Sequence, residues 1–242
     1  MHEFETFVYL DVQKTGSSFI ASVLKRFSRE KLVRKVLHVG VGANYDATKF
    51  HFISVRDPFE LYLSLYSFGC QHKGKLFTRL CKRGFENLYD GTAPGFSGWL
   101  KFILDPESAA YLPGYGEGHL KDVSSVVGFQ SYRVLQLAMR NAEQILATCK
   151  DSNDVRSAFK SNNIVQYTVR TERLRADLVD LLATKLARSI RDIEKAKCYV
   201  AEESARNKSR RVDEQWQLGG TEAELRALIL DREWPLREFY GY

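Results

Sequence analysis

The sequence predicts an α/β fold: a central parallel sheet with helices on both faces, three layers in all. Two stretches carry most of that expectation. From Phe4 to Val12 the chain is rich in Phe, Val, Tyr and Leu. It breaks at the polar loop Gln13–Ser18 and resumes with Phe19, Ile20, Val23, Leu24 and Phe27 at helical spacing. Phe50 to Val55 is a further apolar run, closed by Arg56-Asp57-Pro58 and followed by a helix, Phe59 to Gly69, apolar on most sides. Asp57 is a good N-cap and Pro58 suits a first helical turn. Strands joined by a crossover helix and buried on both faces pair in parallel.

The other elements follow in order. A short strand is expected from Lys35 to Val39, with His38 near its end. Lys73 to Gly118 is rich in Gly, Pro and turn residues, with one helix from Ser97 to Leu104, and reads as an irregular insertion over the sheet edge. Gly128 to Ala147 reads as a helix, Ile164 to Val169 as a strand and Thr171 to Ala187 as a strong helix. Lys195 to Gly220 turns polar in its second half. Thr221-Glu222-Ala223-Glu224 is a capping box that opens the last helix.

Composition bounds the rest. The 242 residues are 44% hydrophobic and 27% charged, with 15 Phe, 12 Tyr and 3 Trp, which excludes disorder as the main state. No repeat or linker interrupts them, so 1–242 reads as one domain with an acceptor-binding insertion around 73–130. The 36 Lys and Arg exceed the 30 Asp and Glu by six, enough for a small anionic ligand. No basic stripe interleaved with aromatics supports nucleic acid. Apolar runs are strand-length, short of the roughly 20 residues a bilayer requires. Met1–Glu5 lacks the features of a signal peptide, so a cytoplasmic protein is expected, lumenal only as a trimmed form of a membrane-anchored parent. Cys70, Cys81, Cys149 and Cys198 form no zinc spacing with the histidines, and no metal site is expected. Cys70 and Cys81 could pair only in an oxidising lumen.

Two constellations carry chemistry. In the loop, a strand ends in Lys14-Thr15-Gly16-Ser17-Ser18 and a helix begins, so unpaired N–H groups and the positive helix end face one spot. Lys14 adds a full charge, and Thr15, Ser17 and Ser18 add hydroxyls. This is no Walker A motif: Lys14 precedes Gly16 and the upstream glycine is missing. The shape is P-loop-like, without nucleotide hydrolysis as its task. The second constellation is Arg56-Asp57-Pro58 with Ser64 about two helical turns further on. Arg56 lies at the carboxyl end of its strand, where parallel sheets place ligands. A guanidinium holds phosphate by paired hydrogen bonds, and a serine can add another.

Together these residues resemble the sulfotransferases that use 3′-phosphoadenosine 5′-phosphosulfate (PAPS), closest to the carbohydrate, heparan-sulfate-like branch. Lys14–Ser18 is similar to the family's 5′-phosphosulfate loop, with Gln13 in place of the usual proline. Arg56-Asp57-Pro58 with Ser64 and Tyr66 is similar to its 3′-phosphate motif. Gly128–Arg133, Val169–Leu174, Asn207-Lys208-Ser209-Arg210 and Phe239–Tyr242 are looser likenesses to later segments. The resemblance implies in-line sulfuryl transfer from PAPS to an acceptor hydroxyl on a carbohydrate or glycolipid, leaving adenosine 3′,5′-bisphosphate and needing no metal. Lys14 would stabilise the bridging oxygen. Asn207, Lys208, Ser209 and Arg210, with Arg206 and Arg211, would close over the nucleotide.

A general base is also required, and histidine suits neutral pH. His38 is the first candidate, with His72 and His119 as alternatives; His51, opening a buried strand, reads as structural. Glu172 reads as a partner of Arg173 in preference to a base. Trp99 and Trp216 read as core or rim. The rival enzyme is a nucleotide or small-molecule kinase on the same sheet, which would need Mg²⁺ and the missing Walker A loop.

Overall fold

The computed structural model describes residues 1–115, 121–202, 216 and 220–242. The chain divides into two compact units, Met1–Arg56 with Val134–Ala142 and Asn162–Lys208, and Asp57–Arg133 with Glu143–Ser161 and Ser209–Tyr242.

The first unit holds a five-stranded sheet. Its strands are β1 (His2–Phe4), β2 (Phe7–Leu10), β3 (Leu32–Lys35), β4 (Phe50–Val55) and β5 (Tyr167–Arg170), in the order β3-β1-β2-β4-β5. β2, β4 and β5 are parallel, while β1 runs antiparallel to both β2 and β3. The α/β class is therefore as expected, with a mixed sheet whose parallel part is three strands wide.

Two elements depart from the sequence reading. Phe4 to Val12 is not one strand: β1 and β2 form a hairpin that reverses at Glu5-Thr6. The polar pair turns the chain, and its groups are used there: Thr6 N–H donates to Glu30 Oε2 at 2.8 Å, and Glu5 Oε2 accepts from Lys31 N–H at 3.2 Å. The second expected strand sits at Leu32–Lys35, three residues early, because it is set by pairing with β1 and not by its own apolar run. His38 consequently lies in a turn.

One face of the sheet is covered by α1 (Ser17–Phe27), α9 (Leu174–Thr184) and α10 (Ile193–Glu202). Phe4, Phe7, Tyr9, Phe52 and Val169 of the strands pack with Phe19, Ile20, Val23 and Leu24 of α1, Leu178, Leu181 and Leu182 of α9, and Ala196 and Val200 of α10. Each such large side chain contributes about 1.5–3 kcal/mol of burial. Val8, Leu10, Ile53 and Val55, which alternate onto the other face, are buried as well.

The second unit is helical. It comprises α2 (Pro58–Cys70), α3 (Lys75–Cys81), α4 (Ala93–Leu104), α5 (Lys121–Val126), α11 (Gly220–Arg232) and α12 (Trp234–Tyr240), with the first half of α6 (Phe129–Ala138) and most of α7 (Ala142–Leu146) and α8 (Ser152–Asn162). The Lys73–Gly118 region is thus more helical than expected. Asp57 caps α2 by accepting the Glu60 N–H at 2.9 Å, with Pro58 in the first turn. Tyr62, Tyr66, Phe96 and Trp99 form an aromatic cluster between α2 and α4. The helix expected over Gly128–Ala147 is broken, because Met139 bridges Asn163 and the Arg140 N–H donates to Asn162 O at 3.1 Å.

Candidate active site

The parallel register sets the geometry. Leu10 pairs with Ile53 and Val55 with Arg170, so β4 and β5 end level and β2 ends two residues before them. Past those ends come the loop from Asp11 to Gly16, then Arg56, then Thr171, whose hydroxyl donates to Val55 O at 2.9 Å.

The loop is held by side chains beneath it. Thr15 is fully buried, and its hydroxyl donates to Val12 O at 2.7 Å. Its oxygen also lies 2.6 Å from Ser54 Oγ, which lies 2.7 Å from Tyr9 OH. Val12 O only accepts, so protons run in one direction, Tyr9 to Ser54 to Thr15 to Val12. Burial keeps the Tyr9 phenol well above its usual pKa and therefore protonated. Of the three hydroxyls expected to face a phosphate, Thr15's is turned inward; its backbone N–H is what it can offer. Ser17 is half-buried and Ser18 exposed.

Backbone conformation completes the loop. Lys14 has φ +66° and Gly16 φ +76°, both in the left-handed region. For lysine this is uncommon and costs about 1–3 kcal/mol, the kind of strain found at functional sites. Gly16 O accepts the N–H groups of Phe19 and Ile20 at 3.0 and 3.1 Å, starting α1. The N-cap of α1 is Gly16, which has no side chain to cap it, and the first turn holds no acidic residue, while Lys25 and Arg26 sit in the last turn. The partial positive charge of this helix start, about half an elementary charge, is therefore not neutralised by a carboxylate of the same turn.

Arg56 brings the second motif to the first. Its Nη1 donates to Lys14 O at 3.3 Å, joining motifs 42 residues apart in sequence. Ser64 lies on α2 in the second unit, half-buried. Tyr66, of the same motif, donates its hydroxyl to Asp90 Oδ1 at 3.0 Å and accepts the Gly91 N–H at 3.1 Å. It anchors a loop within its own unit.

His38 sits beside the residue that begins the loop. Its backbone N–H donates to Asp11 Oδ1 at 3.1 Å, and its Nδ1 lies 2.8 Å from Asp11 O. His38 has φ +57°. Two residues on, Gly40 presses against α6: a Cβ there would stand 2.3 Å from Gln136 O, so only glycine fits. Asp11 and Ser54 were not singled out in the sequence; nothing local in an Asp before a loop or a Ser inside a strand announces such partners.

The other candidates are placed as follows. His51 is buried, with Nδ1 2.9 Å from Lys49 O, and burial pushes its pKa down. His72 is exposed, edge-on to Phe77. His119 and Arg206, Asn207, Lys208, Ser209, Arg210 and Arg211 lie outside the described residues. Glu172 is exposed, and the ion-pair partner of Arg173 is Asp177, at 3.3 Å, which corrects the expected pair. Asp177 also accepts the Arg170 N–H at 2.9 Å. Trp99 is core, and Trp216 Nε1 donates to Gly91 O at 3.2 Å against Tyr66 and Phe96. All four cysteines are free thiols. Among the described residues, no group of three or more His, Cys, Asp or Glu could hold a metal, and no helix is long and apolar enough to cross a membrane.

One further residue escaped the sequence reading. Glu233, fully buried, accepts the N–H groups of Ser131 at 2.6 Å and Gln130 at 3.2 Å and the hydroxyl of Tyr62. It caps the start of α6, and burial raises its pKa above 4.5.

A glycine-started helix, a lysine and a guanidinium meet past the carboxyl ends of parallel strands, the place where α/β proteins as a class carry their ligand sites. Within that class the chain belongs to the sulfotransferase family, whose family model matches residues 1–195. Its reaction is accordingly sulfuryl transfer. No match to the chain was found among curated proteins or among solved structures.

Proposed function

We propose that the protein moves the sulfuryl group of PAPS to a hydroxyl on a carbohydrate or glycolipid. What supports this best is the meeting of Arg56 with the Lys14 carbonyl, 3.3 Å apart, at a helix start whose N-cap is a glycine and whose first turn holds no acidic residue. The residues fit an anionic nucleotide. Lys14, the backbone of Thr15 and Gly16, and the hydroxyls of Ser17 and Ser18 would hold its 5′ side. Arg56 would hold the 3′-phosphate, and Ser64 keeps its sequence-based assignment to the same group. Asn207, Lys208, Ser209 and Arg210 remain the proposed covering segment. The carbohydrate acceptor rests on the likeness of the motifs to the glycan branch, a weaker warrant than site chemistry.

When bound, PAPS supplies an activated sulfuryl group with a phosphate leaving group. The chain's own part is electrostatic and protonic. The Lys14 ammonium neutralises charge that grows on the leaving oxygen, which a fixed cation does without reorganisation. His38 takes the proton of the attacking hydroxyl on Nε2, a role that supplies roughly 10²–10⁴-fold in rate.

Calorimetric titration with adenosine 3′,5′-bisphosphate, beside ATP with Mg²⁺, tests the donor assignment. Tight, metal-independent binding of the bisphosphate with weak ATP binding is expected. Uptake of ATP with Mg²⁺ and none of the bisphosphate would replace the reading with the kinase.

A further inference from the structure

We propose that Asp11 is a positioning residue for the transfer: it fixes His38 in the tautomer that leaves Nε2 ready to take a proton. The inference rests on the reading of His38 as the general base. Asp11 follows β2 directly and is 1% exposed. Three of its atoms face His38. Oδ1 accepts the backbone N–H at 3.1 Å, the carbonyl oxygen lies 2.8 Å from Nδ1, and Oδ2 lies 3.3 Å from Nδ1. Both oxygens near Nδ1 can only accept, so Nδ1 carries the ring proton. Nε2, on a side chain 30% exposed, is left with its lone pair.

The placement of the carboxylate matters beyond the tautomer. Oδ2 is buried and makes no hydrogen bond; its near neighbours are His38 Nδ1 and, at 3.8 Å, His2 Nε2, while Oδ1 also pairs with the Met1 ammonium. Burial keeps His2 neutral by pushing its pKa down. A buried carboxylate is costly, and here part of its charge is aimed at the one ring that would turn cationic during transfer. The left-handed His38 backbone is a second sign, since such strain persists only where surroundings enforce it. Those surroundings are the Asp11 carboxylate on one side and the Gly40 contact with α6 on the other.

The wild-type protein offers an acceptor-independent test. Proton–nitrogen correlation spectra of its imidazoles, with His38 assigned by loss of its signal in His38→Gln, should show Nδ1–H. An Nε2–H tautomer overturns the proposal. The kinetic test follows release of adenosine 3′,5′-bisphosphate from PAPS with a chemically desulfated heparan oligosaccharide as the acceptor probe. Asp11→Asn should lower kcat by about 10–10²-fold, part of the roughly 10²–10⁴ a base supplies, with acceptor KM little changed. In the His38→Gln background the same change should do nothing. An equal loss in both backgrounds, or full activity of Asp11→Asn beside inactive His38→Gln, overturns Asp11's role and leaves the base intact. Full activity of His38→Gln removes the base reading and this inference with it. Should Asp11→Asn fail to fold, or the probe fail as an acceptor, the wild-type tautomer decides.

Discussion

Helices α6 and α1 begin with the same unfilled requirement, backbone N–H groups that have no partner within the helix. At α6 the chain supplies the acceptor itself: Glu233, more than a hundred residues downstream, accepts from Gln130 and Ser131 in the first turn. At α1 the N-cap is a left-handed glycine with no side chain to offer, a lysine stands two residues before it, and the first turn holds no acidic residue. The closed start is dry and structural, and its carboxyl sits above its ordinary pKa because it is buried. A helix start with a glycine N-cap and no acidic residue in its first turn suits an anion better than one already closed by a carboxylate.

The largest expected effect comes from opening the closed start. Glu233→Ala strands the Gln130 and Ser131 N–H groups and the Tyr62 hydroxyl, each worth about 1–3 kcal/mol when left buried and unpaired. Denaturant unfolding should therefore show a loss of at least about 3 kcal/mol; a loss below 1 would mean that water replaces the carboxylate. Lys14→Ala removes the charge at the open start, and kcat should fall by about 10²–10³-fold with the fold intact by circular dichroism. Arg56→Ala should act chiefly on bisphosphate affinity; were turnover unchanged in the lysine variant, the loop would have the wrong role. Thr15→Val cuts the hydroxyl chain beneath the loop, and a thermal shift equivalent to about 1 kcal/mol is expected, with donor binding loosened.

The smallest effect is in pH dependence. Glu233 holds its proton more tightly folded than unfolded, so its contribution is fully present below about pH 4.5 and is lost as pH rises through its folded pKa. His51 has the opposite sign: its pKa is depressed below 6.5, and stability is lost as pH falls below that value. The stability of wild type relative to Glu233→Gln should thus decline as pH rises above 4.5, and a flat difference would contradict the buried carboxyl's shift.

What was legible in the sequence was local. A strand, a glycine-bearing loop and a helix start lie within twenty residues of one another, as do Val55, Arg56, Asp57 and Pro58, and both motifs were read from local residue order together with their likeness to a known family. The fold class followed, because strand–helix–strand order admits few sheets. What was missed depends on pairing across the chain. The hairpin at Glu5-Thr6 was hidden because Phe4 and Phe7 read as one apolar run, and β3 was misplaced because an exposed edge strand has no apolar pattern to locate it. Asp11, Ser54 and Glu233 acquire their meaning from partners 27, 39 and 103 residues away.

The hydroxyl chain under the loop also has a kinetic side. Thr15 belongs to the loop, Tyr9 to β2 and Ser54 to β4, so the loop's shape is fixed across a separation of 39 residues, and contacts of that span form late in folding. Stopped-flow refolding monitored by a fluorescent bisphosphate analogue should show binding appear with the slowest refolding phase; binding in the earliest phase would break the link. On the first outcome the nascent chain would take up the bisphosphate only after β4 has docked on β2, and its uptake would report completed assembly of the sheet.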